Sequence, residues 1–166
     1  MEAVTFLALA AACAPLVDTA TAQALVGVES AFNPHAIGVV QGVLERQPRN
    51  RGEALATARQ LQASGWNFSV GLAQINARNF ERLSLDTETA FDPCTNLRAM
   101  QTVLQECFER ARKRVAHSQD ALRQSLSCYY SGNFVTGFRD GYVRQVVRSA
   151  IRSHPLAPLH IAKESS

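Results

Sequence analysis

A long amphipathic helix is predicted for residues 92–112, which read DPCTNLRAMQTVLQECFERAR, and this stretch decides the fold class. Aspartate followed by proline is typical of a helix start, because Asp92 can cap the first turn and Pro93 tolerates the first helical position. Apolar side chains then recur at a spacing near 3.6 residues, as one buried helical face requires. These are Leu97, Met100, Leu104, Cys107, Phe108 and Ala111.

Segments on both sides of this helix have the same periodicity. The spacing predicts further helices that end near Glu29, span 54–65, surround Phe80 and Leu83, and cover 121–129 and 143–151. Residues 37–50 contain glycine and proline and are expected to form a loop or short irregular strands that line a cleft. The sequence therefore predicts a mainly α fold with at most a short irregular β excursion.

The composition fits one globular domain. The chain has 166 residues, of which 46% are hydrophobic and 19% charged, a balance that excludes extensive disorder. We assign residues 1–153 to the domain and expect residues 154–166, with Pro155, Pro158 and a polar end, to form a flexible tail. The net charge of +3, without a basic run, excludes a nucleic-acid partner and favours an anionic one such as a cell-wall polymer.

The apolar segment 4–17, VTFLALAAACAPLV, is too short to span a bilayer, so no stable membrane span is expected. Its length fits the hydrophobic region of a signal peptide, with a cleavage site at residues 20–22, but no positive charge precedes it. The alternative is that it forms the first helix of the fold. If Cys13 is structural, cleavage would delete it, which favours the helix.

Glu29 is the first candidate for catalysis. It ends a mostly apolar helix, where partial burial disfavours the carboxylate and raises its pKa toward that of a general acid at neutral pH. The alternative is a surface glutamate at a helix terminus.

Five short motifs follow one another along the chain. They are Glu29-Ser30, GLAQIN at 71–76, NLRA at 96–99, CYYSGN at 128–133 and GYV at 141–143. In this order they resemble the signatures of the soluble lytic transglycosylases, which have the goose-type lysozyme-like α fold, over roughly residues 5–150. The strings NFSV at 67–70, FDPC at 91–94 and YYSGN at 129–133 are most similar to the VirB1 group, the wall-opening component of type IV secretion systems.

The resemblance implies a role for each matching residue. Glu29 would be the single catalytic acid and base, and Ser30 would orient it or the sugar. Gln74, Asn76 and Tyr130 would line the cleft, and Tyr130 resembles the family tyrosine that hydrogen-bonds the acid. No cofactor or metal is implied. The implied partners are peptidoglycan glycan strands and other type IV secretion subunits, in the periplasm.

Two positions depart from the family pattern. Ala73 stands where the family usually has methionine, and Ser131 where it usually has asparagine. We expect these changes to alter the affinity of sugar subsites, but neither removes the acid.

The acidic residues favour a non-hydrolytic reaction. A two-carboxylate glycosidase needs a second acid near the first, and the chain offers only Glu45, Glu53 or Glu81 after Glu29 and before Asp86. Each is expected to face solvent. The predicted product is therefore a 1,6-anhydro sugar. The alternatives are a hydrolytic lysozyme of the same fold and a non-catalytic wall-binding assembly module.

The four cysteines, Cys13, Cys94, Cys107 and Cys128, fit two disulfides and an oxidising compartment. They contain no CxxC pair or nearby histidine, so a zinc site is not expected. We favour a Cys107–Cys128 bridge that braces the cleft wall, with Cys13–Cys94 as the other pair. This is one of three connectivities, and reduced buried cysteines are the alternative.

Overall fold

The predicted long helix runs from Pro93 to Arg112 in the computed structural model, which describes residues 1–153. The Asp92 side chain accepts a hydrogen bond from the Thr95 amide at 2.8 Å, and Pro93 occupies the first turn. The start of this helix is therefore the one that the Asp-Pro pair predicts.

Helices account for most of the described residues, which confirms the mainly α prediction. The helices are α1 (Ala3–Cys13), α2 (Thr19–Ser30), α3 (Arg51–Ala63), α4 (Thr87–Ala90), α5 (Pro93–Arg112), α6 (Ser118–Ser131), α7 (Thr136–Arg139) and α8 (Tyr142–Ser153). Two short 3-10 helices, Ala77–Asn79 and Glu81–Leu83, occupy the region where a short helix was expected around Phe80 and Leu83.

Two helix pairs form the body of the molecule. Helix α5 packs along α6, and α2 packs along α8, while α1 contacts both α2 and α5. The largest fully buried apolar side chains are spread along residues 6–146 and belong to one cluster, so a single core joins these pairs. They include Phe6, Leu25, Phe68, Leu72, Phe91, Leu97, Met100 and Val146.

A small antiparallel sheet lies beside the helices. It consists of β1 (Ile37–Val39), β2 (Phe68–Val70) and β3 (Ile75–Asn76), in that order. Strand β1 is the short β excursion expected within 37–50. The other two strands contain only three and two residues, too few to produce a visible alternation of polar and apolar side chains.

The apolar N-terminal segment contributes to the core. Phe6 of α1 is buried and meets the ring of Phe32 edge to face, with 5.0 Å between the ring centroids. A disulfide joins Cys13, the last residue of α1, to Cys94 at the start of α5. The structure thus contains the helix that was one of the two interpretations of this segment.

The second disulfide joins Cys107 of α5 to Cys128 of α6. Both bridges have the pairing predicted from the sequence. They link α5 to α1 at one end and to α6 farther along.

No helix within residues 1–153 is long and apolar enough to cross a membrane. The flexible tail expected for residues 154–166 lies outside the described residues.

Candidate active site

Glu29 lies in the last turn of α2, where the helix is stopped by two residues in left-handed conformations. Ala31 has φ 49° and Phe32 has φ 62°, a backbone region that non-glycine residues seldom adopt. At its other end, α2 is capped by Asp18, whose carboxylate accepts hydrogen bonds from the amides of Ala20 and Thr21. The end of α2 therefore presents Glu29 beside the small sheet.

Two opposing effects set the pKa of Glu29. The net pKa rises from 4.5 to about 7, because burial raises it by more than the hydrogen bond from the Tyr142 hydroxyl, with 2.5 Å between the two oxygens, lowers it. Burial is the larger effect, because removing a carboxylate from water disfavours its charged form. A raised pKa lets this group carry a proton near neutral pH and donate it, and the resulting carboxylate can accept a proton in turn.

Tyr142 reaches Glu29 because α8 begins at this residue. Gly141, with φ +82°, turns the chain between α7 and α8, and the packing of α8 on α2 brings the two side chains together. Burial and the negative charge of Glu29 raise the pKa of Tyr142 far above its ordinary value, so its hydroxyl stays protonated and acts as a donor.

The structure corrects the role expected for Tyr130 as the hydrogen-bond partner of the acid. Tyr130 is 46% exposed, and its hydroxyl donates to Asp140 at 3.4 Å rather than to Glu29. Its ring stacks on that of Tyr142, with 4.6 Å between centroids, and lines the cleft as expected. Tyr130 lies near the end of α6 and turns outward, whereas Tyr142 enters from α8.

Tyr129 turns inward as predicted and donates to the Ala73 carbonyl at 2.7 Å.

A groove of about 310 Å³ opens in front of Glu29. The sheet and the first 3-10 helix form one side, and α5 and α6 form the other. The lining residues include Gly38, Val39, Val40, Ser69, Gln74, Ile75, Asn76, Asn79, Val103, Tyr129 and Tyr130.

Ser30 fixes the end of α2 to the loop between β2 and β3. Its hydroxyl donates to the Leu72 carbonyl at 2.7 Å and to the Val26 carbonyl at 3.3 Å. The structure therefore gives Ser30 a positioning contact with this loop, and its hydroxyl does not bind the Glu29 carboxylate.

Asn96 of α5 also holds the loop between β2 and β3, from the side of the buried core. It is fully buried, accepts a hydrogen bond from the Ala73 amide at 2.8 Å, and donates to the carbonyls of Val70 and Ala90. A Cβ atom on Gly71 would lie 2.4 Å from the Asn96 amide nitrogen, so glycine is required at this close approach.

The amide of Gln74 lines the groove, but its nitrogen is already engaged. It donates to the carbonyls of Ala36 and Gly71 at 3.1 and 3.0 Å. The Gln74 oxygen lies so close to Gly38 that a Cβ atom there would approach it to 2.7 Å. Gln74 therefore joins β1 to the loop and leaves only its oxygen for a ligand.

Asn76 also lines the groove while it supports the sheet. Its amide nitrogen donates to Asn67 and Ser69, and its oxygen accepts a hydrogen bond from the Arg78 amide. The predicted cleft residues Gln74, Asn76 and Tyr130 are thus brought to one groove with Glu29.

Among the groove-lining residues of the described chain, Glu29 is the only carboxylic acid. Glu53 pairs with Arg46 at 2.6 Å, and Glu45 and Glu81 are exposed, as predicted. Asp140 pairs with Arg139 and accepts a hydrogen bond from the Tyr130 hydroxyl. It does not line the groove.

The two departures from the family pattern lie away from the groove. Ala73 belongs to the loop between β2 and β3, and its side chain is fully buried. The Ser131 hydroxyl donates to the Ser127 carbonyl at 2.8 Å, within the last turn of α6. Neither side chain lines the groove in front of Glu29, which differs from the expectation that both would alter sugar subsites.

Tyr142 and Asn96 belong to two of the ordered motifs, GYV and NLRA, but no role was predicted for either residue. Tyr142 follows a glycine and precedes a valine-rich helical stretch, and Asn96 is a polar residue at the apolar face of α5. A polar side chain on a buried helical face needs a hydrogen-bond partner from another part of the fold. The position of Asn96 on the apolar face of α5 is therefore a sequence signal for such a role.

The chain is similar in sequence to known proteins of one family. A family model described as the transglycosylase SLT domain matches residues 6–145. The type IV secretion system protein virB1 of Brucella suis biovar 1 is 46% identical over 98% of this chain and 71% of its own length. The corresponding protein of Brucella abortus biovar 1 is 49% identical, over 89% of this chain and 64% of its own length.

A more distant relative, the protein virB1 of Rhizobium radiobacter, is 36% identical over 83% of this chain and 57% of its own length. The chain therefore spans between 57% and 71% of the length of these three relatives. No solved structure matches the chain.

Proposed function

The chain belongs to the transglycosylase SLT domain family, and on this premise we propose that it cleaves the β-1,4 bond between MurNAc and GlcNAc in peptidoglycan. The proposed product is 1,6-anhydro-MurNAc. The observation that carries the proposal is the single carboxylic acid of the groove, Glu29, with a pKa raised to about 7.

In the first step, protonated Glu29 donates its proton to the glycosidic oxygen as the bond from C1 of MurNAc breaks. The 4-hydroxyl of GlcNAc leaves with that proton. Positive charge develops at C1, and the N-acetyl group of the substrate and the carbonyl and hydroxyl dipoles of the groove stabilise it.

In the second step, the Glu29 carboxylate accepts the proton of the 6-hydroxyl of the same MurNAc. The O6 atom then bonds to C1 and closes the anhydro ring. Glu29 ends the cycle protonated, so the reaction consumes no water and needs no second acid.

The charge change of Glu29 in this cycle matches the donor held against it. The Tyr142 hydroxyl donates to the carboxylate formed after the first step, while burial favours the protonated acid before it. A carboxyl whose two protonation states are each favoured by one of these effects suits a group that serves in turn as acid and base.

The cellular role is proposed from the relatives. The Brucella proteins are named as type IV secretion system proteins, and we propose that this chain likewise opens the wall locally for such an apparatus and contacts its other subunits. Two disulfides support an oxidising location such as the periplasm. The net charge of +3 favours an anionic wall polymer.

The test is muropeptide analysis of peptidoglycan digested by the wild-type protein and by Glu29→Gln. We expect anhydro-muropeptides from the wild type and a loss of at least about a thousandfold in their rate of formation in the variant, because the amide can neither donate nor accept the required proton. Glu81→Gln, which removes an exposed acid outside the groove, is the matched control and retains wild-type activity.

Each alternative predicts a different outcome. Reducing-end products without anhydro sugars would identify a hydrolytic lysozyme. A wild-type protein that releases no cleavage product, together with secretion that survives Glu29→Gln, would identify a non-catalytic wall-binding assembly module.

A further inference from the structure

A side pocket continues the groove past α5 and α6. It has a volume of about 210 Å³ and shares Asn79, Val103 and Tyr129 with the groove in front of Glu29. Beyond these residues it is lined by the Cys107–Cys128 bridge and by Arg110. A ligand group that branches from a chain in the groove can therefore enter it.

The two arginines that line this side pocket differ in their charge balance. Arg82 forms a two-pronged ion pair with Glu106, at 2.8 and 3.1 Å, so its charge is compensated. Arg110 has no carboxylate within 4.0 Å among residues 1–153. The side pocket consequently holds one uncompensated positive charge.

Weak contacts hold the Arg110 guanidinium in place. It donates to the Cys128 sulfur at 3.4 Å and to the Gly132 carbonyl at 3.5 Å, and it lies 5.2 Å from the centre of the Phe134 ring. These contacts leave other N–H donors of the guanidinium unused. The side chain is thus oriented before any ligand binds.

A second guanidinium shares the same ring. Arg114 lies 4.9 Å from the centre of Phe134, in the turn that follows Arg112, the last residue of α5. Two positive charges on one ring repel each other, and the cation–π contacts offset only part of that cost. An anion bound by Arg110 would lower this repulsion.

We propose that Arg110, assisted by Arg114 and Phe134, binds a carboxylate of the peptide stem carried by a MurNAc residue in the groove. The proposal rests on the proposed function, because it requires a peptidoglycan strand in front of Glu29. Stem peptides are attached to MurNAc and carry free carboxylates, and a guanidinium fork matches a carboxylate with two parallel hydrogen bonds. The protein then prefers peptide-bearing strands to bare glycan.

The experiment compares two substrates, intact peptidoglycan strands and the same strands with the carboxylates of their stem peptides converted to amides. The readout is the ratio of kcat/KM for anhydro product formation on the two substrates, measured for the wild type and for Arg110→Gln. We expect the variant to lower this ratio by about three- to fivefold, the range that a partly exposed charge pair gives. Arg110→Lys retains part of the preference, since it keeps the charge but loses the fork.

Arg123→Gln is the matched control. Arg123 is exposed on α6, lines a different pocket between α2, α6 and α8, and forms no ion pair within the described chain. This variant changes the net charge equally and leaves the ratio at the wild-type value. Added salt lowers the wild-type ratio toward that of Arg110→Gln, because screening weakens an exposed charge contact.

Two outcomes overturn the inference. One is a wild-type ratio near 1, and the other is a variant that loses activity on both substrates in parallel, which indicates a purely structural role for Arg110. A failure of the proposed function has a different signature, because no anhydro product then forms from either substrate.

Discussion

At the residue scale, the catalytic proposal depends on how Glu29 is held between burial and one hydrogen bond. Burial favours the protonated acid, and the Tyr142 hydroxyl favours the carboxylate. Tyr130 stacks on the Tyr142 ring from the exposed side and limits the positions that this ring can adopt. These contacts make separate predictions for the two tyrosine hydroxyls.

Tyr142→Phe removes the one side-chain hydrogen bond that lowers the pKa of Glu29 among residues 1–153. We expect the pKa to rise above about 7, so the alkaline limb of the pH profile of kcat/KM moves to higher pH. Activity at the optimum falls by about tenfold or more, the value of a hydrogen bond to a charged group. The control is Tyr130→Phe, whose lost hydroxyl contacts Asp140. An alkaline limb that moves equally in both variants would contradict this assignment.

Glu29 also makes the stability of the fold depend on pH. Its pKa is 4.5 ordinarily and about 7 in the folded state, so between these values the folded protein binds more protons than the unfolded chain. The free energy of unfolding therefore falls as pH rises, by up to about 3 kcal/mol once pH exceeds 7.

Glu29→Gln removes this titration. We expect its free energy of unfolding, relative to that of the wild type, to increase from pH 4 to pH 8. Urea denaturation at several pH values measures the difference, and a constant offset between the two proteins across this range would disprove the expected burial of the acid.

At the element scale, the loop between β2 and β3 is a rigid link between α2 and α5. Ser30 holds it from the end of α2, Asn96 from inside α5, and Tyr129 from α6. Because these contacts are to backbone atoms of the loop, they fix its path independently of most of its side chains. These contacts thereby keep Gln74 and the end of α2, with Glu29, in position at the groove.

Asn96→Asp tests this link with almost no change in volume. The carboxylate cannot donate to the carbonyls of Val70 and Ala90, and it is buried without a partner cation. We expect a loss of about 3 kcal/mol or more in the free energy of unfolding, together with lower activity. Thr102→Ala, an exposed change on the same helix, is expected to stay within about 0.5 kcal/mol of the wild type. Equal effects of the two variants would refute the bracing role of Asn96.

At the scale of the whole molecule, two disulfides tie distant parts of the chain to α5. Cys13–Cys94 closes a separation of 81 residues and holds α1 against the core, whereas Cys107–Cys128 closes 21 residues within the α5–α6 pair. A longer closed loop restricts the unfolded chain more, so the two bridges differ in their expected effect on stability.

Replacing both cysteines of the Cys13–Cys94 bridge by alanine is expected to cost about 4.5 kcal/mol, against about 3.3 kcal/mol for the Cys107–Cys128 bridge. Denaturant titration of the two double variants without reductant measures the difference. The order of the two costs is the critical result, and the reverse order would show that loop closure does not dominate.

Much of the fold follows from local patterns along the chain. The Asp-Pro start of α5, the spacing of its apolar residues and the glycines after α3 and α6 mark the helices closely, because helix caps and periodicity act over a few residues. The three short strands leave no comparable pattern. The candidate acid is also predictable, because Glu29 ends an apolar helix and opens a series of ordered motifs.

The sequence by itself determined the helical class, the position of the acid, the pairing favoured for the cysteines and the membership of the motifs in one family. Only the tertiary structure decided that Tyr142, and not Tyr130, donates to Glu29, that Ser30 and Asn96 hold the loop, and that Arg110 stands uncompensated beside the groove. The reason is physical. Caps and helical faces depend on neighbours within a turn, whereas these contacts join residues that only the packing of α2, α5, α6 and α8 brings within hydrogen-bond distance.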